Sequence, residues 1–137
     1  MRLGKNSKAA AISGVPLFSR CSKKQLIEIA QLADEIDLPA GRVLTKEGAR
    51  GREFFVILEG RAEVERDGRV IATVCNGDFL GEVALVTDHP RTATVTTTTP
   101  SRVLVLPTRE FRQLLRTSPD IQGKVLQAVA DRVAALL

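Results

Sequence analysis

Apolar and polar residues follow three successive rhythms along the chain. Between residues 22 and 33, Leu26, Ile29, Ala30 and Ala33 recur at three- and four-residue spacing, as on one face of a helix. Ser22 with Gln25 three positions later is a capping-box pair. Hydroxyl and side-chain amide exchange hydrogen bonds with the backbone N–H groups at the helix start, so the helix is predicted to begin here. Just ahead, Val15-Pro16-Leu17-Phe18 reads as an apolar turn docked on the body, and a short helix is expected around Lys8–Ser13.

From Glu35 the pattern shortens. Strands are predicted at Glu35–Leu38, Arg42–Thr45, Glu53–Leu58, Arg61–Arg66, Arg69–Val74, Thr92–Thr99 and Arg102–Leu106, with turn residues between them. Phe54, Phe55, Val56 and Ile57 make Glu53–Leu58 the most apolar of these. Asp67-Gly68 predicts a tight hairpin, because a two-residue turn demands positive φ. Two glycines, Gly77 and Gly81, bracket Asp78-Phe79-Leu80. Short strands separated by turns point to an antiparallel β-roll or jelly roll rather than a parallel sheet.

Beyond Pro107 the helical period returns. Thr108 is expected to cap a helix with Phe111, Leu114 and Leu115 on one face, and Ser118-Pro119 supplies a cap and a first-turn proline for the next. In that last helix Ile121, Val125, Val129, Val133 and Leu137 form an i, i+4 ladder, with Leu126 and Leu136 beside it. The predicted fold class is mainly β with flanking helices: an antiparallel β-roll with N-terminal helices and two C-terminal helices. One domain is expected over 15–137, after a lead-in over 1–14.

Composition narrows the chemistry. The 137 residues are enough for an independent core, and with five Phe, no Trp and no Tyr that core must be mostly aliphatic. Cys21 and Cys75 match no metal or redox spacing and read as buried or half-buried free thiols. The single histidine, His89, has no companion ligands and reads as an exposed turn residue. One histidine cannot furnish the metal site of a cupin-type jelly-roll enzyme, so no catalytic residue, metal or cofactor is assigned and the protein is not expected to be an enzyme. The net charge of +4 is spread through the chain. Only Arg2, Lys5 and Lys8 form a basic stretch without acids, read as a solvated, flexible lead-in. There is no secretion signal, no run of membrane-spanning length and no helix-turn-helix after the roll within these residues. A cytoplasmic location without membrane or nucleic-acid partners is the resulting expectation.

The remaining chemistry gathers in GEVALVTDHPRTATV, residues 81–95. Gly81 lets the backbone approach a ligand closely. Val83-Ala84-Leu85-Val86 suits one helical turn, whose first N–H groups attract anions. Arg91 offers a planar fork for phosphate oxygens. Glu82 would be repelled by that phosphate and so suits a sugar hydroxyl instead. A phosphodiester on a ribose satisfies all of these at once.

The run Phe79-Leu80-Gly81-Glu82-Val83-Ala84-Leu85, the turn Val86-Thr87-Asp88-His89 and then Pro90-Arg91-Thr92-Ala93 resemble the phosphate-binding cassette of the cyclic nucleotide-binding domain family. That family includes protein kinase A regulatory subunits, cyclic-nucleotide-gated channels and catabolite activator proteins. The likeness extends through Leu17-Phe18, Pro39-Ala40-Gly41, Lys46-Glu47-Gly48 and Phe55-Val56-Ile57-Leu58-Glu59-Gly60, across residues 15 to 135. Leu80 departs from the family's usual aromatic, which bears on packing rather than ligand chemistry.

The resemblance implies roles for the ligand-binding set Gly81, Glu82, Val83, Ala84, Leu85, Arg91, Thr92 and Ala93. Glu82 would accept the ribose 2′-hydroxyl beside the Gly81 backbone, Arg91 would pair with the cyclic phosphate, and the Ala84 and Leu85 amides would add hydrogen bonds. Thr92 would lie near the base. The resemblance implies cAMP first, as the family's usual ligand, with cAMP-binding relatives also carrying Ser or Thr there; cGMP comes second, because a Thr hydroxyl can reach the guanine amino group. Ligand would draw the 81–91 turn inward, shift contacts around Leu85 and Phe79, and repack the last helix over the base through Leu126, Val129, Val133 and Leu136. The implied partners are an effector protein or fused effector domain, with dimerisation through the C-terminal helix as a further expectation. The alternative is a degenerate roll acting as an interaction or oligomerisation module.

Overall fold

The computed structural model describes residues 2–136 and carries two four-stranded antiparallel sheets with helices packed on one of them. Helices α1 (Lys5–Ile12) and α2 (Lys23–Ala30) precede the strands β1 (Asp34–Leu38), β2 (Val43–Thr45), β3 (Glu53–Glu59), β4 (Arg61–Arg66), β5 (Arg69–Cys75), β6 (Phe79–Leu80), β7 (Thr94–Thr97) and β8 (Ser101–Pro107). Helices α3 (Thr108–Thr117) and α4 (Pro119–Ala135) follow. One sheet runs β1-β8-β3-β6 and the other β2-β7-β4-β5. This is the predicted β-roll with flanking helices.

The unbroken apolar run of β3 has a topological cause. Side chains alternate across a strand, and β3 with its neighbour β8 is covered on both faces. Phe54 and Val56, with Leu104 and Leu106, join the core beneath the helices. Phe55 and Ile57, with Val103 and Val105, fill the interior between the sheets. On the helix side Phe18 stands edge-on to Phe54 and Phe111, with ring centroids 6.2 and 5.6 Å apart. The Ser22–Gln25 capping box is formed in full at the start of α2. The hairpin between β4 and β5 turns at Asp67 and Gly68, both with positive φ.

Several expectations are corrected. Residues 5–12 are helical, starting before Lys8, and Ala9 and Ile12 are buried in the helix-side core rather than solvated. Polar contacts fix this segment too. Lys8 Nζ donates to Ala33 O at 2.9 Å, and the Leu3 N–H donates to Glu35 Oε1 at 2.7 Å. That amide, with Arg2 and Arg102 nearby, holds the Glu35 carboxyl below the usual range.

The strand predicted over Thr92–Thr99 is reduced to Thr94–Thr97. Thr97 Oγ1 donates to Pro39 O, and Thr99 Oγ1 accepts from the Arg61 N–H, so hydroxyls take over from ladder bonds. Thr108 does not cap α3. It is the buried first helical residue, its N–H donating to Arg52 O at 2.9 Å, with Pro107 at the cap position. Ser118 occupies the α4 cap position without a side-chain hydrogen bond, and Pro119 takes the first turn as predicted. Cys75 is exposed, whereas Cys21 is half-buried. Leu137 of the apolar ladder lies outside the described residues.

Candidate functional site

Gly81 sits between β6 and a 3-10 turn over Glu82–Leu85, in the left-handed region with φ 81°. Two constraints require glycine here. A side chain at this φ is strained, and a Cβ would come within 2.9 Å of Glu53 O while pressing on the Arg91 guanidinium. The turn is anchored from below by Ala84 and Leu85, both buried. It is held from behind by Arg112, whose Nη2 donates to Ala84 O and Nη1 to Asp88 Oδ1, each at 3.0 Å.

Arg91 reaches the same spot from the other end of the segment. Its main chain is fixed by a 2.8 Å bond from its N–H to Ala49 O. Its guanidinium donates to the backbone carbonyls of Glu53 and Gly81, and it makes no ion pair among the described residues. Burial pushes its pKa down, opposed by the nearby Glu53 charge. This is a partly desolvated cation with neutral partners, a costly arrangement that an anion would relieve.

Glu82 is the complement. Oε1 accepts from Arg132 Nη1 of α4 at 2.7 Å, while Oε2 is buried without a hydrogen-bond partner among the described residues. A buried carboxylate oxygen left unpaired carries a full desolvation penalty, so the position calls for a donor.

These groups border a cavity of about 320 Å³. Of the predicted set, Gly81, Glu82, Val83, Ala84, Arg91, Thr92 and Ala93 line it; the Leu85 side chain points into the helix-side core instead. The Ala84 N–H is not free to meet an anion in this arrangement, because it donates to Gly81 O at 3.1 Å and closes the turn. Across the cavity, Val64, Val74 and Val95 form an apolar wall from β4, β5 and β7.

Three further residues at or beside the cavity were not assigned to it from the sequence. His89 is exposed, as expected, yet also lines the cavity, with Nδ1 2.8 Å from Pro90 O. Arg66 follows Ala62 and Val64 on the inward face of β4, so strand alternation could have found it. Arg132 does not line the cavity but reaches Glu82 from between Val129 and Val133 on α4, hidden by a ladder read for its hydrophobics alone.

That face of α4 borders a second, apolar groove with Leu17, Val83 and Val86, including Val129, Val133 and Leu136 of the expected lid. Leu126 does not share it and faces solvent.

Fold and cavity together define a β-roll receptor-type domain, with a ligand-sized cavity between a short helical turn and an apolar strand wall. The family model of the cyclic nucleotide-binding domain matches residues 35–118, and the chain belongs to that family. A cyclic nucleotide-gated potassium channel of Rhizobium etli is 33% identical over 121 residues, which cover 88% of this chain and 34% of the channel. The chain thus spans about a third of that relative's length.

Among solved structures, the N-terminal domain of a transcriptional regulator from Streptomyces coelicolor is 30% identical with a TM-score of 0.83, covering 92% of each chain. The regulatory domain of Toxoplasma gondii PKA, in co-crystal with cAMP, is 26% identical with a TM-score of 0.73, covering 82% of this chain and 45% of that one. Among the described residues, no helix is long and apolar enough to cross a membrane.

Proposed function

We propose that this chain is a non-catalytic sensor domain that binds a 3′,5′-cyclic purine nucleotide, cAMP or cGMP, through residues 81–93. Family membership and the cAMP-bound relative favour a ligand of this class. The observation that carries the reading is the opposed pair at the cavity mouth. Among the described residues, Arg91 is a half-buried cation with only carbonyl partners, and Glu82 Oε2 is a buried acceptor with no hydrogen-bond partner. A cyclic phosphate supplies the missing anion and a ribose 2′-hydroxyl the missing donor. Gly81, Val83 and Ala93 shape the cavity around them, and the Ala84 and Leu85 main chain joins once the turn adjusts to the phosphate.

The response runs through Glu82. A hydroxyl on this carboxylate alters the contact with Arg132, and with it the seating of α4, which repacks over the base through Val129, Val133 and Leu136. The domain then acts on an effector, on a partner chain or fused to it, in the cytoplasm.

Calorimetric titration of cAMP and cGMP into protein freed of co-purified nucleotide tests the reading. Micromolar or tighter binding that is lost in Arg91→Ala is the expected result. No heat and no thermal shift with either nucleotide would sink it, and would leave a roll that serves as an interaction module.

A further inference from the structure

The wall opposite the cassette carries a second guanidinium that the sugar–phosphate chemistry does not use. Arg66 ends β4, and pairing of Glu65 with Thr94 places it beside the cassette's exit strand. Its Nε donates to Thr92 O at 3.0 Å, which fixes the group alongside Thr92 at the cavity. Nη1 and Nη2 have no hydrogen-bond partner among the described residues, and no carboxylate pairs with Arg66 there.

A cyclic phosphate carries one negative charge, and Arg91 already meets it. The rest of this wall is Val64, Val74 and Val95, and none of these can stack on or hydrogen-bond to a base. Arg66 is therefore a fork of pure donors beside Thr92, where the cyclic-nucleotide reading puts the base, on a wall otherwise made of valines.

The purine edges answer that fork differently. Guanine presents N7 and O6, two acceptors side by side, which a guanidinium binds bidentately. Adenine presents N7 beside an amino group, so one arm of the fork would face another donor. Resting on the cyclic-nucleotide reading above, we infer that Arg66 is a specificity determinant: it reads the N7/O6 edge of the base and selectively strengthens binding of 6-oxopurine cyclic nucleotides over cAMP.

The test is calorimetry of cGMP, cIMP and cAMP with wild type, Arg66→Ala and Arg66→Lys, with thermal unfolding to show that the variants are folded. Cyclic IMP keeps O6 and N7 but lacks the 2-amino group that Thr92 could reach. Arg66→Ala should weaken cGMP and cIMP alike, by about 5- to 150-fold, and leave cAMP within about twofold. The Lys variant should recover only part of the loss, since an ammonium cannot span both acceptors.

Equal weakening of all three nucleotides would overturn the inference and make Arg66 a general positioning or phosphate contact. Loss for cGMP but not cIMP would overturn it in favour of Thr92 and the amino group. If wild type binds none of the three, the underlying reading falls and this one with it. If wild type binds but Arg66→Ala leaves every affinity unchanged, only this inference fails.

Discussion

The cassette and the far end of α4 meet at Glu82, yet they are held there by different means. The cassette is fixed by main-chain bonds and burial: Arg91 N–H on Ala49 O, Arg112 on Ala84 O, and Leu85 fully inside the core. In α4 the first half is equally secure, with Ile121, Val125 and Ala128 no more than 1% exposed. The second half is not. Val133 is 53% and Leu136 87% exposed, and the polar links to the body are Arg20–Asp131 and Arg132–Glu82. The Arg20–Asp131 pair is exposed at both ends and contributes little, and Arg132 is half exposed where it reaches the buried Glu82 carboxylate. The cassette should therefore keep its shape whatever α4 does, while the helix end is free to respond to binding energies of a few kcal/mol.

The largest expected effect sharpens the cassette side. Arg91→Ala should weaken cyclic-nucleotide binding by about 2–5 kcal/mol, because it leaves a buried phosphate without its countercharge. Its thermal stability should hold or rise, since a desolvated cation is removed at the same time. Titration and melting of the same variant check both halves. Unchanged affinity would mean that Arg91 does not face the anion.

Next comes the contrast within α4. Ile121→Ala removes a fully buried side chain and should cost about 2–5 kcal/mol of unfolding free energy, whereas Val133→Ala should stay within about 0.5 kcal/mol. Urea denaturation with a common slope measures both. Comparable losses would show that the far end is packed as firmly as the near end, and the comparison would break.

What the sequence could show follows the same division. Features set by near neighbours were legible: the Ser22–Gln25 box, the Asp67-Gly68 hairpin, the dense apolar run of β3, and the order of Gly81, Glu82 and Arg91. Features set by distant partners were not. Arg132 meets Glu82 across 50 positions, and Lys8 meets Ala33 across 25. Local pattern assigns such charges to solvent, so the N-terminal helix read as a loose lead-in and Arg132 did not register. Arg66 was lost for a different reason. Its strand was identified, but the inward alternation was not carried to its last residue.

A smaller effect tests the joint itself. Arg132→Ala should lower stability by about 1–3 kcal/mol, since it takes the donor from Glu82 Oε1 and leaves a largely buried carboxylate without its ion pair. Amide exchange over residues 129–136 should quicken, while the amides around Leu85 stay protected. Faster exchange in both regions would mean that the cassette depends on α4 after all.

The mildest perturbation is acid, and its sign follows from Asp131. Hydrogen bonds from Arg20 first, and from Gln127, hold this carboxyl below its ordinary range. A carboxylate with a depressed folded pKa contributes stability above its unfolded value, and that contribution fades as pH falls through the folded one. The Arg20–Asp131 link should therefore be intact at neutral pH and weaken below about pH 4. The main-chain bonds that hold the cassette do not titrate. Exchange followed by mass spectrometry from pH 5 to pH 3, corrected for intrinsic rates, should show the end of α4 loosening before the segment around Ala84 and Leu85. Simultaneous loosening would mean that helix end and cassette form one cooperative unit, and that a ligand on Glu82 could not move one without the other.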